Sequence, residues 1–446
     1  MRRSLIIAGL STAVLLPAVA GQQMLRARPA LAPGQSITLA ADSPQLQSAI
    51  SIDDLSAELL KRLTHFNSLP IYGTADALGH DRLRAWTWTH ISRTAVRLYQ
   101  IKHDPRLIEA VLDGFRNYSA QTEVFSATDG FGWYTRDSRA GTVYREIPIT
   151  GLIIAPIVEI LRLASSDRIL AAQLAERRVA LLQTVERGIA GFDKHYREQN
   201  GLGFFVAVPS TEPGTDVWPL NLGSVYARPL LGLWQLTGNR EYLREVTGIA
   251  RTWRAAMTLT SDGGVGWPYT PLPSDPHHAD GPQERLVKAA IGIEFPLAAY
   301  EAGIVLDRSE IDAIARAPLT TMLEYIDQTH VRVRKFVSPG STQYLLPGSS
   351  EKIDALALAA WYVFTCQQPG LASSIDPVMF GADRQFYLHS AVALHGLSVR
   401  LALENDPSLC PGTGGPPNAT QARAGNAAGA VASAATETGN TRSTLR

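Results

Sequence analysis

One stretch of this chain concentrates side chains that can transfer protons. Residues 263–280 place Trp267, Tyr269, His277 and His278 in one long Gly- and Pro-rich segment. Loops of that length are usually functional or disordered, and its Trp and Tyr argue for order. A phenol and two imidazoles can serve as acid and base near neutral pH. Elsewhere Arg145, Arg285 and Arg384 offer forks for a carboxylate. Trp86, Trp88, Trp218 and Trp267 offer flat apolar faces, with Tyr144, Tyr344, His90, Glu146, Asp216 and Asn221 as polar company. Aromatic faces interleaved with Arg, His and carboxylates suit a sugar polymer that carries uronate groups. His277 and His278 are adjacent, not four apart on a helix, and the chain has no CxxC or HExxH. The sequence therefore implies no metal site and no cofactor.

These residues are scattered, so some architecture must gather them. The phrase Leu98-Tyr-Gln-Ile-Lys-His-Asp-Pro-Arg-Leu-Ile108 returns, blurred, as Leu233-Trp-Gln-Leu-Thr-Gly-Asn-Arg-Glu-Tyr-Leu243. Each copy ends one amphipathic helix, makes a polar turn and starts another. Asp104-Pro105 and Ser309 suit helix starts. Apolar residues with a helical period fill residues 52–66, 83–118, 147–196, 221–259, 284–327, 351–366 and 383–403. Short turns near His103, Ser166, Gly238, Val305 and Gln368 recur about every 60 to 70 residues, each interval holding one helix pair and one long loop. The expected fold is all-α: an (α/α) toroid of about six helical hairpins. Residues 203–208 and 331–337 add minor β-hairpins. An open solenoid of tetratricopeptide type would have shorter repeats and tight connections on both sides.

In such a ring the long loops share one rim and the short turns the other. The first helix of every pair starts at the loop rim. Trp86, Trp88, His90, Tyr144, Arg145, Glu146, Asp216, Trp218, Asn221, Trp267, Tyr269, His277, His278, Arg285, Tyr344 and Arg384 all fall near such starts. The short-turn rim contributes chiefly Lys102, His103, Asn239, Arg240 and Asp307, expected as a solvated surface. Several of these residues have a structural role open to them. The tryptophans suit a core, Asp216 an N-cap, Glu146 a helix N-terminus, and His90 a hydrogen-bonded interior.

The chain has 446 residues, with 41 Lys+Arg against 41 Asp+Glu. Nucleic acid is not expected as a partner, because phosphate binding needs a basic excess. Residues 1–20 read as a signal peptide: Arg2-Arg3, an apolar run, then Ala18-Val19-Ala20 before Gly21. Residues 21–50 read as a flexible leader, 51–408 as the helical domain, and 409–446 as a disordered tail poor in large apolar residues. The protein is expected in the periplasm or secreted, with no membrane span after cleavage. Export would allow Cys366 and Cys410 to pair.

The hairpin phrase, Trp218-Pro219-Leu220-Asn221, and Gly266-Trp267-Pro268-Tyr269 leading to His277-His278 resemble the (α/α)-toroid carbohydrate-active proteins. The chain is similar over roughly residues 80 to 400 to polysaccharide lyases of the alginate- and glucuronan-lyase kind, to the helical domain of glucuronyl C5-epimerases, and to six-hairpin glycosidases. The resemblance implies a lyase or C5-epimerase acting on an acidic polysaccharide. Toroid lyases often follow an Asn directly with a catalytic His; here Leu222 follows Asn221, so His277 or His278 would have to serve. Asn221 with Arg145 or Arg285 would neutralise the uronate carboxylate as C5 loses its proton. His278 or His277, with Tyr269 or Tyr144, would act as base and acid. A glycoside hydrolase would instead pair Glu146 with Asp216 or Glu284. A non-catalytic glycan-binding or exopolysaccharide-assembly protein is the third reading.

Overall fold

The computed structural model describes residues 37–38, 51–68, 81–122, 132–136, 143–206, 217–261, 263–277, 283–326, 330–337, 341–345, 352–368, 370–380 and 390–410. Most of these are helical, with a few short strands. The helices are α1 (Ile52–Ser68), α2 (Asp81–Lys102), α3 (Pro105–Thr122), α4 (Ile147–Leu163), α5 (Arg168–Leu174), α6 (Arg178–Ile189) and α7 (Leu220–Thr237). After these come α8 (Arg240–Ala256), α9 (Leu286–Gly292), α10 (Glu294–Glu301), α11 (Arg308–Ala317), α12 (Lys352–Ala355), α13 (Leu371–Phe380) and α14 (Ala391–Asn405). A 3-10 segment, Leu356–Phe364, continues directly from α12.

The short turns have clear local causes. His103 and Val305 adopt positive φ (50° and 61°), and Gly238 ends α7 in the left-handed region at 71°. Such a residue reverses the chain just after a helix, where Gly pays no steric cost. The next helices begin on side-chain caps. Asp167 accepts from the backbone N–H groups of Ile169 and Leu170, and Asn239 from that of Glu241. Asp307, not Ser309, caps α11, in a reciprocal box with Glu310. Asp104 accepts from the backbone N–H of Arg106 at 3.0 Å, and Pro105 opens α3.

The first helices of the pairs pack in a closed cycle. α2 lies against α4, α4 against α7, and α7 against α9 and α10. α9 then meets the 3-10 segment, which packs on α14, and α14 returns to α2. The second helices form an outer layer, with α3 on α2, α6 on α4, α8 on α7, α11 on α10 and α13 on the 3-10 segment. α1 also packs on α2 and α3. α4 reads as apolar on nearly every face because it is covered on all sides by protein. Fully buried tryptophans fill the space between layers, and three of them find partners for their indole N–H groups. Trp88 donates to Ile153 O (3.2 Å), Trp253 to Ser224 Oγ (2.7 Å) and Trp361 to Ile314 O (3.1 Å).

Several expectations need correction. Residues 284–303 form two helices that break at Ile293, and residues 167–196 divide into α5, α6 and a short 3-10 turn at Asp193–His195. Ile37–Thr38, in the expected leader, forms β1. It pairs antiparallel with β9 (His330–Val333), which also pairs with β8 (Leu323–Tyr325). The hairpin at 203–208 is β4 (Tyr196–Gln199) with β5 (Leu202–Phe205). β2 (Tyr134–Arg136) pairs with β3 (Val143–Arg145), and β6 (Thr258–Leu259) with β7 (Val265–Gly266). Cys366 and Cys410 are joined, Cα atoms 5.6 Å apart, so Leu409 and Cys410 belong to the domain and not to a tail. The signal peptide and the residues beyond 410 lie outside the described residues.

Close helix contact constrains the ring. A Cβ on Gly151 of α4 would stand 2.8 Å from both Tyr226 Cα and Val225 O of α7. Backbone atoms cannot swing aside as a flexible side chain can. Gly151→Ala should therefore lower stability by about 1–3 kcal/mol, read as a lower urea midpoint with an unchanged slope. An unchanged midpoint would show that the α4–α7 contact is looser than described.

Candidate functional site

The loop rim assembles one coherent group. The backbone N–H of Leu220 donates to Tyr269 O at 3.0 Å, which ties the long loop to the start of α7. Asn221 is next in the chain, 3 % exposed, with its Oδ1 unpartnered. A Cβ on Gly292 would stand 2.9 Å from Asn221 Cα, so α9 is pressed against this helix start. From α9, Lys288 donates to the Tyr269 hydroxyl at 2.9 Å, its Nζ also 4.0 Å from the centre of that ring. Both side chains are partly exposed. One turn before Lys288 is Glu284, wholly buried, with neither carboxylate oxygen hydrogen-bonded. Burial pushes its carboxyl well above the usual carboxylate range, and nearby Lys288 opposes that only in part. Its surroundings thus favour the protonated form of the carboxyl. Arg285 is engaged by Asp354 of α12. Trp218 is partly exposed beside this group, its backbone N–H donating to Phe205 O.

Other residues expected at this rim have different places. Trp88 and Trp267 are core residues and not sugar platforms: the first is wholly buried, the second packs on Trp253 with ring centres 5.1 Å apart. His90 is likewise interior, and Glu146 is buried at the start of α4 without capping it through its side chain. Arg145 is turned to the C-terminal end of α6, donating to the carbonyls of Gly188 and Ala190 and lying over Phe192. His277 is exposed, with Nδ1 3.3 Å from Thr258 Oγ1 at β6. Tyr344 donates to Glu324, and Arg332 sits over its ring. Trp86 is partly exposed on α2. Tyr144 is placed by its backbone alone, in β3 opposite Thr135. His278, Asp216 and Arg384 lie outside the described residues.

A second group lies where the first helices converge, and of its residues the sequence had singled out only His90. Arg93 of α2 donates from Nε to Glu159 of α4 (2.8 Å) and through its fork to Glu294 of α10 (3.0 Å for the Oε1 contact). Arg228 of α7 pairs with the same two carboxylates, 2.9 Å from Glu294 Oε2. His395 of α14 brings Nε2 to 3.3 Å from Glu294 Oε1, and its ring lies 6.0 Å from that of His90. Burial opposes the charge on each carboxylate, but the two guanidiniums win. Glu159 is held at about 2, and Glu294 well below its ordinary value. Burial would lower Arg93, yet Glu159 and Glu294 raise it; burial and the neighbouring Arg93 lower Arg228 to about 10. Burial, the other histidine and Arg93 bring His90 down to about 3, while burial and Arg93 bring His395 to about 4. Two cations thus face two anions beside two neutral imidazoles. The sequence does carry a signal for this group: Arg93, Glu159, Arg228, Glu294 and His395 each interrupt an apolar stretch of a first helix. Among the described residues no group of three or more His, Cys, Asp or Glu is placed to hold a metal ion.

At the short turns Lys102, His103, Asn239, Arg240 and Asp307 are exposed, as expected, but that end is not closed. It opens into a 660 Å³ cavity among the C-terminal halves of the first helices, with Glu159, Arg228 and Glu294 at its inner end.

No protein-family model matches this chain, and comparison with curated proteins gives no significant match.

The central group sets a pH dependence. His90 and His395 are neutral when folded, with values of about 3 and about 4, and take up protons near 6.5 once unfolded. Stability from their neutral burial is therefore present above pH 6.5 and lost as pH falls toward 4. Each contributes a slope of about 1.4 kcal/mol per pH unit in that window. Glu159 adds stability that is lost only as pH falls from 4.5 toward about 2. The thermal midpoint should drop steadily from pH 6 to pH 4, and less steeply in His395→Gln. A flat midpoint over that interval would contradict the assignment.

Proposed function

We propose that the cyclic packing of six hairpins is an (α/α) toroid, and that the protein is an exported enzyme acting on a uronate-containing polysaccharide. The reaction is loss of the C5 proton, leading to β-elimination or to C5 epimerisation. The observation that carries this reading is the Tyr269–Lys288 contact, held at the start of α7 by the Leu220–Tyr269 backbone bond. A phenol beside an ammonium can pass a proton to or from a sugar with the compensating charge already in place. Lys288, with the unpartnered Oδ1 side of Asn221 nearby, replaces Arg145 as the group facing the uronate. Asn221 would do so through its amide N–H groups, which can donate to the carboxylate as its charge grows. The partly exposed Trp218 offers a face for an adjoining sugar. His278 remains the candidate partner base, from the next segment of the same loop.

One observation favours a hydrolase instead. Glu284, whose carboxyl burial pushes up, has the character of a general acid. Its lack of exposure argues against direct contact with a glycosidic oxygen. Fold alone does not choose between these reactions.

The test is an assay on a panel of uronic and neutral polysaccharides, reading both the ultraviolet absorbance of unsaturated uronate ends and the release of reducing ends. Activity should be confined to uronate polymers, with either unsaturated ends or a changed C5 configuration. Tyr269→Phe and Lys288→Gln should each lower kcat/KM by about 10²–10⁴, and Glu284→Gln by less. Cleavage of neutral glycans, or loss of activity in Glu284→Gln alone, would replace this reading with hydrolysis.

A further inference from the structure

The cavity at the short-turn end belongs to no step of that chemistry, yet it has the make-up of a binding site. Its volume of 660 Å³ lies within the range of small-molecule pockets. Its walls are mixed: Pro229, Leu297 and Val399 give apolar surface, while Arg97, Arg162 and Glu301 bring charge. The inner end is closed by the Glu159–Arg228–Glu294 part of the central network, whose charges are already matched. Arg97 and Arg162 are different. Among the described residues Arg97 hydrogen-bonds only Gln100 Oε1 (2.9 Å), and its Nε is buried without a hydrogen bond. Arg162 is exposed on the cavity lining. Neither forms an ion pair among the described residues, although both feel the Glu301 carboxylate. Two unmatched guanidiniums in one concave wall leave a local excess of positive charge, a setting that attracts a carboxylate fork-on.

Glu301 refines the choice of ligand. It is also water-accessible, and burial raises its carboxyl above the ordinary value. It would accept from a ligand hydroxyl but repel a second negative charge. Phosphate, which carries more than one charge at pH 7 and has no apolar body, fits these walls poorly. Ser408–Cys410 also line the cavity, held in place by the bond from Cys410 to Cys366, itself on the lining.

We infer that this cavity binds a small hydroxylated monocarboxylate, such as a monomeric sugar acid, at a site separate from the loop rim. The carboxylate lies between Arg97 and Arg162, the hydroxyls face Glu301, and the apolar walls cover the body of the ligand. The inference does not depend on the reaction proposed for the loop rim.

Isothermal titration of the full-length, disulfide-bonded protein with sodium D-glucuronate tests it. The Lys288→Gln background removes binding at the loop rim. Glucuronate should bind this background at one site, and inorganic phosphate should bind more weakly. Arg97→Gln and Arg162→Gln should each weaken glucuronate about tenfold or more, with far-ultraviolet dichroism unchanged. Arg162→Lys, which keeps the charge but not the fork, should lose less. Absence of glucuronate binding in the Lys288→Gln background, undiminished affinity in the two Arg→Gln variants, or tighter binding of phosphate would each overturn the proposal.

Discussion

The ring depends on a charge balance at its centre. Arg93, Glu159, Arg228 and Glu294 come from four different first helices, and His395 from a fifth. Taking such groups out of water costs several kcal/mol per ion, so the arrangement persists only where each charge keeps its partners. That requirement acts on the helices. If α4 or α10 moved along its axis by one turn, a carboxylate would leave its two guanidiniums and stand buried alone. Apolar packing can be satisfied in several registers; this network accepts one. It contributes little net attraction, and what it specifies is how five helices meet.

The same balance divides the interior into two ends with different chemistry. On one side the network is neutral and dry, with His90 and His395 uncharged. On the other its carboxylates and Arg228 form the floor of the cavity. The loop rim carries its own reactive group, built from the starts of α7 and α9 and the segment that joins β7 to them. Lys288 is its only described ammonium, and it answers both to Tyr269 and to the buried Glu284. The Tyr269–Lys288 contact and the ion pairs that join the first helices thus share no side chain.

Much of the fold was legible because it rests on local chemistry. The polar turn after Tyr99 and the one after Trp234 repeat because a helix must stop, reverse and be capped, and His103, Gly238, Asp104 and Asn239 do that work. The disulfide was legible from the expected export and the cysteine count. The placement of side chains was less so. A Trp near a helix start can face the mouth or the outer layer, and only packing decides; Trp88 and Trp267 went inward, Trp218 stayed partly outward. Arg145 looked available for substrate, but the carbonyls left open at the end of α6 claimed it. Lys288 lacked any motif, since its partner Tyr269 lies nineteen residues earlier. The central network left a readable trace, ionisable groups set within the helical runs. Its meaning required knowing that the runs converge.

The central functional claim is that a proton leaves C5 of a uronate at the loop rim. A uronate polymer labelled with deuterium at C5 tests it most directly, by following the label into water as the protein turns over. Elimination and epimerisation both release it. The account predicts label in the solvent at the rate of turnover, abolished in Tyr269→Phe. Cleavage of the polymer with the label fully retained at C5 would contradict it.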